Sequence, residues 1–252
     1  MFNLANRVAV VTGASSGLGK QMAMALAQQG ADLVIMARRM ERLEALKMQI
    51  EELGVRCLPV CCDITDSKQV NEAAQTAESA FGKIDILVNC AGAVKSGGVL
   101  DTTDEDWAFT VDADLTSTFY MTRAFGNIMK KNNYGRIINI ASIYGMIAKF
   151  GGTSIGYPAA KGGVVNFTRA VAQELAKYNI TCNSICPGFF PTEINTAALA
   201  SEAHTQFMKN MVPMGRYGRD GELNAAAIFF ASDEASYVTG VILPVDGGYT
   251  AI

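Results

Sequence analysis

The chain has 252 residues, half of them hydrophobic and 18% charged, with 24 glycines and a net charge of −3. This composition suits one large buried core in an α/β protein; it excludes a disordered or fibrous chain and offers no basic field for nucleic acid or acidic lipid. Apolar runs fall well short of the roughly 20 residues a membrane-spanning helix needs, so no membrane association is expected and the partners are small molecules.

Residues 8–11 form a short β-branched run, followed by a glycine-rich turn and by 17–29, where Ala, Met and Leu recur at helical spacing. Gly30 ends that helix; 32–37 is a second strand, 41–53 a charged amphipathic helix and 55–61 a third strand. A helix over 67–81 with a serine cap leads to a strand at 85–89. Two helices, 104–112 and 115–131, precede a strand at 135–141, and a helix from Tyr157 leads to 181–186. A helix at 221–231 and a strand at 240–245 close the series, after an irregular, partly helical segment at about 188–214 that is the candidate substrate lid. This alternation predicts a doubly wound parallel sheet of Rossmann type with helices on both faces, in one domain over residues 1–252.

The first residues enter a β-like run without a charged start and apolar signal core, so a cytoplasmic protein is expected. Cys57, Cys61, Cys62, Cys90, Cys182 and Cys186 lie in or beside strand-like runs, as small reduced thiols do, and the spacings of zinc sites are absent. No metal is expected.

Three motifs carry chemistry. Gly13, Ser15, Ser16, Gly17, Leu18 and Gly19 follow the first strand, where small residues let backbone N–H groups and a helix N-terminus approach a pyrophosphate. The spacing is GxxxGxG, and by itself it would equally allow close helix–strand packing. After the second strand stand Arg38 and Arg39 with no carboxylate, which favours the 2′-phosphate of NADP(H) over an unmodified ribose. Arg38 is the expected contact, and Arg39 is open to a second reading as a solvated charge paired with Glu41 or Glu44. Tyr157 and Lys161 are four residues apart at a helix start, on one face, where the ammonium would favour the phenolate. Ser142 follows a strand and could bond a substrate oxygen, although strand-end serines also serve as turn residues.

Taken together, TGASSGLG at 12–19, Asp63 in CDIT, NCAG at 89–92, ASIYG at 141–145, YPAAK at 157–161, PGFFPT at 187–192 and VDGG at 245–248 resemble the short-chain dehydrogenase/reductase family. The resemblance implies an oxidoreductase acting on CH–OH groups. It puts Asp63 at the adenine, Asn89 and Gly92 on the adenosine-side floor and Thr192 at the nicotinamide carboxamide, with Ile64, Ala91, Pro187 and Gly188 as further cofactor contacts. It also implies that Lys161 binds the nicotinamide ribose, Ser142 orients a carbonyl and Tyr157 protonates it. Asp114 departs from the family's asparagine, which supports a bent helix and, through water, the lysine. Either Asp114 preserves the bend and the water with little kinetic effect, or it strengthens the charge on Lys161.

Within the family, the PGFFPTEI and DGGYTA segments and Lys95 are similar to gluconate 5-dehydrogenase-like members, implying a sugar-acid or polyol substrate, with Lys95 open to a carboxylate or to solvent. Against this, Ile143, Met146, Ile147, Phe150, Phe189, Phe190, Phe207, Met208 and Met211 could line an apolar pocket for a steroid or 3-oxoacyl ketone. A nucleotide-binding protein without catalysis is the third class. His204 is expected at a surface or pocket edge, and Trp107 in core or interface packing. The family commonly forms homotetramers, which the apolar C-terminal end at Tyr249-Thr250-Ala251-Ile252 would suit.

Overall fold

Short β-branched runs form seven strands: β1 (Val8–Thr12), β2 (Asp32–Ala37), β3 (Cys57–Cys61), β4 (Ile86–Asn89), β5 (Gly135–Ile140), β6 (Ile180–Pro187) and β7 (Ile242–Val245). The structure is a computed structural model and describes residues 2–148, 154–192 and 202–251, without the side chains of 203 and 204. All strand pairs are parallel, in the order β3-β2-β1-β4-β5-β6-β7. The chain runs outward from β1 to β3 and then returns to place β4 on the other side of β1. The carboxyl ends of β1 and β4 therefore open a crevice, the place where ligands bind in such sheets.

Eight helices are described: α1 (Gly17–Gln28), α2 (Met40–Glu51), α3 (Ser67–Phe81), α4 (Asp104–Val111), α5 (Ser117–Asn132), α6 (Gly156–Leu175), α7 (Glu202–Met211) and α8 (Asn224–Ala231). Because side chains alternate along a strand, Ala9 and Val11 face one core with Leu26, Leu46 and Phe230. Val8 and Val10 face the other, with Val70, Phe125 and Ile128. Helices thus cover both faces, as the doubly wound reading requires.

Three local details differ from expectation. The cap of α3 is Asp66, whose carboxylate accepts from Lys68 N at 2.8 Å and Gln69 N at 3.3 Å, while Ser67 is already helical. The last helix starts at Asn224, because Gly221 takes φ of +86° in the preceding turn. The two helices expected across 104–131 are joined by a π-helical turn, Asp112–Thr116, without a break. Such a turn frees carbonyls from the α pattern; Ser117 Oγ donates to Ala113 O at 2.7 Å and Thr118 Oγ1 to Asp114 O at 2.8 Å.

The six cysteines are all free thiols; Cys61 is exposed, whereas burial pushes Cys57 and Cys90 up to about 12 and Cys62 to about 11. Trp107 is 43% exposed, so the core reading of that residue fails. No helix of the described residues is long and apolar enough to cross a membrane, and no group of metal-ligating residues occurs among them.

Candidate active site

Strand β1 ends at Thr12, which ties the switch point together. Its Oγ1 accepts from Cys90 N at 2.9 Å and Ala91 N at 3.0 Å, and faces Val88 O at 3.4 Å. The chain then turns through Gly13 at φ +69° and Gly17 at φ +53°, conformations that favour glycine. A Cβ on Gly13 would stand 3.0 Å from the Ala91 backbone, and one on Gly19 would stand 2.5 Å from Gly13 O. The N-terminus of α1 is thereby drawn against the turn, leaving a side-chain-free cradle at a helix start. That arrangement fits a pyrophosphate, since helix N-termini present unpaired N–H groups and favourable dipole charge. Leu18, by contrast, packs against the core. Replacing Gly19 by alanine is expected to weaken NADPH binding about tenfold or more, because the added methyl must displace backbone; fluorescence titration of the folded variant measures it.

The hydroxyls of Ser15 and Ser16 point to the edge of this cradle. Ser16 is the N-cap of α1 yet makes no side-chain cap bond. Instead Arg39 Nη2 donates to Ser15 Oγ at 3.0 Å and to Ser16 Oγ at 2.9 Å. Arg39, and not Arg38, thus reaches the phosphate turn. Arg38 is exposed, and its carbonyl accepts from Cys61 Sγ at 3.4 Å. Beside these groups lies a cavity of about 270 Å³ whose lining includes Ser15, Ser16, Lys20 and Arg42.

The remaining expected cofactor residues sit at the same sheet edge. Asp63 follows β3 and holds its own turn, accepting from Thr65 N at 3.0 Å and Thr65 Oγ1 at 2.8 Å, with half-buried Ile64 next to it. Asn89 is buried, and its amide donates to Asn139 Oδ1 at 2.9 Å and Thr122 Oγ1 at 3.3 Å. Its amide donor is thus engaged within the sheet and its neighbouring helix. At Gly92 a Cβ would collide with Asp114 Oδ1 and lie 3.5 Å from Lys161 Nζ, so this glycine borders the lysine. Pro187 ends β6; Gly188 donates to Val245 O at 3.0 Å and leaves no room for a Cβ against Asp246. Thr192 lies against Gly17, so the segment after β6 returns over the cradle.

Ser142, Tyr157 and Lys161 come from two elements brought together by a small residue. After β5 the chain enters a tight turn, Ile143–Gly145, in which Ser142 Oγ accepts from Tyr144 N at 3.1 Å. A Cβ on Gly145 would be 2.6 Å from Lys161 O, so glycine lets this turn rest directly on α6. Ser142 consequently stands beside Tyr157 and favours its phenolate, and Lys161 Nζ stands 5.7 Å from the centre of the phenol ring. Lys161 is 5% exposed, Asp114 1%. The ammonium donates to Ile140 O at 3.0 Å and lies 3.0 Å from Asp114 Oδ1. Burial opposes the ammonium, but the Asp114 charge and the Tyr157 phenol raise it above the ordinary lysine value. Burial raises the Asp114 carboxyl, and Lys161 draws it back. Tyr157 is raised from its ordinary value, by burial first; Lys161 lowers it as expected, without prevailing.

Over this group stands an aromatic wall. Phe189 is its hub, with Tyr249 at 5.2 Å, Phe207 at 5.8 Å and Tyr144 at 6.3 Å between ring centres, all edge to face. Ile143, Met208 and Val212 are buried in the same cluster, and Met211 packs on it. Phe190, expected in the pocket, instead turns into the core that includes Leu223 and Phe230. Met146 and Ile147 are exposed. Lys95 Nζ is 3.6 Å from Asp106 Oδ1, so the loop lysine has an internal carboxylate neighbour. Phe150, the His204 side chain and 193–201 of the candidate lid lie outside the described residues.

A family model described as enoyl-(acyl carrier protein) reductase matches residues 13–250. A 3-oxoacyl-(acyl-carrier-protein) reductase of Thermotoga maritima is 34% identical over 245 residues, covering 97% of this chain and 98% of that protein. The chain belongs to the short-chain dehydrogenase/reductase family. Within that family, a 2-dehydro-3-deoxy-D-gluconate 5-dehydrogenase of Escherichia coli K12 is similar at 36% identity over 252 residues, covering 99% of this chain and 98% of the relative. Among solved structures, a gluconate 5-dehydrogenase from Burkholderia cenocepacia in complex with NADP and tartrate shares 34% identity with a TM-score of 0.95. The match covers 100% of this chain and 98% of that one.

For a short-chain dehydrogenase/reductase, the layout joins an anion cradle to a half-buried phenol with a buried hydroxyl and a buried ammonium, a set able to exchange a proton with an oxygen delivered beside a dinucleotide. Sequence reasoning passed over Thr12 as the tie between β1 and the loop after β4. It also passed over Tyr144, whose phenol lies near Tyr157 and is pushed by burial up to about 12. Both stand inside motifs already singled out, which was the available signal.

Proposed function

We propose that this protein is an NADP(H)-dependent oxidoreductase that interconverts a ketone and a secondary alcohol on a sugar acid or polyol. The observation that carries this reading is the grouping of Ser142, Tyr157 and Lys161 at the crevice beside the glycine cradle. When bound, NADPH supplies the hydride, and the protein supplies alignment and a proton path. Tyr157 gives its phenolic proton to the carbonyl oxygen in reduction and takes it back in oxidation. Ser142, which stands beside that phenol, orients the same oxygen. Lys161 holds the ribose end and feeds positive charge to the site. Arg39, supported on Ser15 and Ser16, binds the 2′-phosphate. Asp63, Ile64, Ala91 and Thr192 flank the dinucleotide.

The sugar-acid reading is supported by the relatives that act on gluconate derivatives. A 3-oxoacyl substrate is the second reading, supported by the aromatic wall around Phe189 and the acyl-reductase relative. The whole chain acts as one domain, α7 closes the substrate side, and the assembly is a cytoplasmic homotetramer. The test is NADPH oxidation by the purified protein with 5-ketogluconate, other keto-sugars, a steroid ketone and a 3-oxoacyl thioester. Turnover confined to the sugar acids supports the first reading, and turnover confined to the thioester replaces it with the second. NADPH binding without turnover on any of them contradicts both.

A further inference from the structure

Asp114 occupies an unusual place. The π-helical turn Asp112–Thr116 points its side chain inward, and the missing Cβ of Gly92 makes the space the carboxylate fills. There Oδ1 is 3.0 Å from Lys161 Nζ, both groups are buried, and Oδ2 has no hydrogen-bond partner among the described residues. An amide in that position would leave the ammonium's charge intact; a carboxylate in direct contact offsets it.

We propose that Asp114 is a positioning residue that sets the pH range of the reaction, by pairing directly with Lys161 and so withholding part of its charge from Tyr157. The proposal rests on the reading of Tyr157 as the proton-transfer group. The groups facing that phenol are Lys161 from α6, Asp114 from the π turn, Cys90 beyond β4, and Ser142 and Tyr144 from the turn after β5. Lys161 in turn is faced by Cys186 at the end of β6. Burial keeps Cys90, Cys186 and Tyr144 neutral through the ordinary range, since all three are raised. Asp114 and Lys161 are therefore the charges that act, with opposite signs: Lys161 lowers Tyr157 and Asp114 raises it.

The sign follows. Oxidation needs the phenolate and rises as pH passes the Tyr157 pKa; reduction needs the phenol and falls there. Removing the Asp114 charge lowers that pKa, so both limbs move to lower pH in Asp114→Asn, by about one unit or more. The direct measurement is the ultraviolet titration of tyrosinate in Asp114→Asn and in the parent protein, each minus its Tyr157→Phe counterpart. It needs no substrate. The expected result is a Tyr157 transition about one unit or more lower in the variant, accompanied by the same shift in kcat with KM nearly unchanged. An unmoved transition in the folded variant overturns the proposal, even where turnover is found. A moved transition without turnover on any carbonyl supports the charge pairing and contradicts the catalytic reading. Should Asp114→Asn fail to fold, the same titration of Asp114→Ser decides: a Tyr157 transition lower than in the parent protein supports the proposal, and an unmoved one overturns it.

Discussion

Tyr157→Phe is expected to lower turnover by about 10²–10⁴-fold, the usual worth of a positioned proton donor or acceptor. NADPH affinity should change by no more than about twofold, because the cradle at Gly13, Gly17 and Gly19 is separate from the phenol in the sequence and is built on backbone. Steady-state kinetics with a fluorescence titration of NADPH separate the two quantities. A loss carried by binding and not by kcat would make Tyr157 a structural residue of α6. Ser142 and Lys161 remain beside the void left by the hydroxyl, so residual activity is expected to be small and finite.

Arg39→Asp is expected to lower kcat/KM for NADPH about 100-fold while changing NADH by only a few-fold. The 2′-phosphate would lose a charge-assisted partner worth about 1.5–3 kcal/mol and meet a carboxylate instead. Arg38→Asp should shift the cofactor ratio less, because Arg38 is exposed and points no hydrogen bond to the phosphate turn among those described. A larger effect at Arg38 than at Arg39 would return the 2′-phosphate role to Arg38. The cofactor ratio is the informative readout, since a general loss of folding would lower both nucleotides alike.

The alternation of strand and helix was legible because it is a property of side-chain period, and β2 emerged with its observed bounds at Asp32–Ala37. Gly30 marked the end of α1 for a stated reason, its φ of +92°. The resemblance pointed to a bend at Asp114, but its π form was not legible: one extra residue per turn over Asp112–Thr116 barely changes the apolar pattern, and its evidence is in hydrogen bonds from Ser117 and Thr118. Serine and aspartate are both good caps, so residues 66 and 67 could be told apart only by which of them had entered the helix.

At the site, the four-residue spacing of Tyr157 and Lys161 needed only helix geometry. The contact of Lys161 with Asp114 joins segments 47 residues apart, 161 less 114, and depends on the space at Gly92. Neither arginine after β2 is distinguished by its type; the direction of the chain as it enters α2 carries Arg39 back to Ser15 and Ser16. The same holds for neighbouring Phe189 and Phe190, one in the aromatic wall and the other in the core, where adjacency alone sends the rings to opposite sides.

The proposed reaction exchanges a hydride between NADP(H) and a carbonyl carbon, with Tyr157 handling the proton. The most direct test is to supply NADPH carrying deuterium at nicotinamide C4, prepared separately on each face, with the keto-acid and oxoacyl panel. Deuterium on the carbinol carbon of one product, from one face only, and its loss in Tyr157→Phe, is the predicted result. Tight NADPH binding with no label transferred from either face to any product would contradict the account.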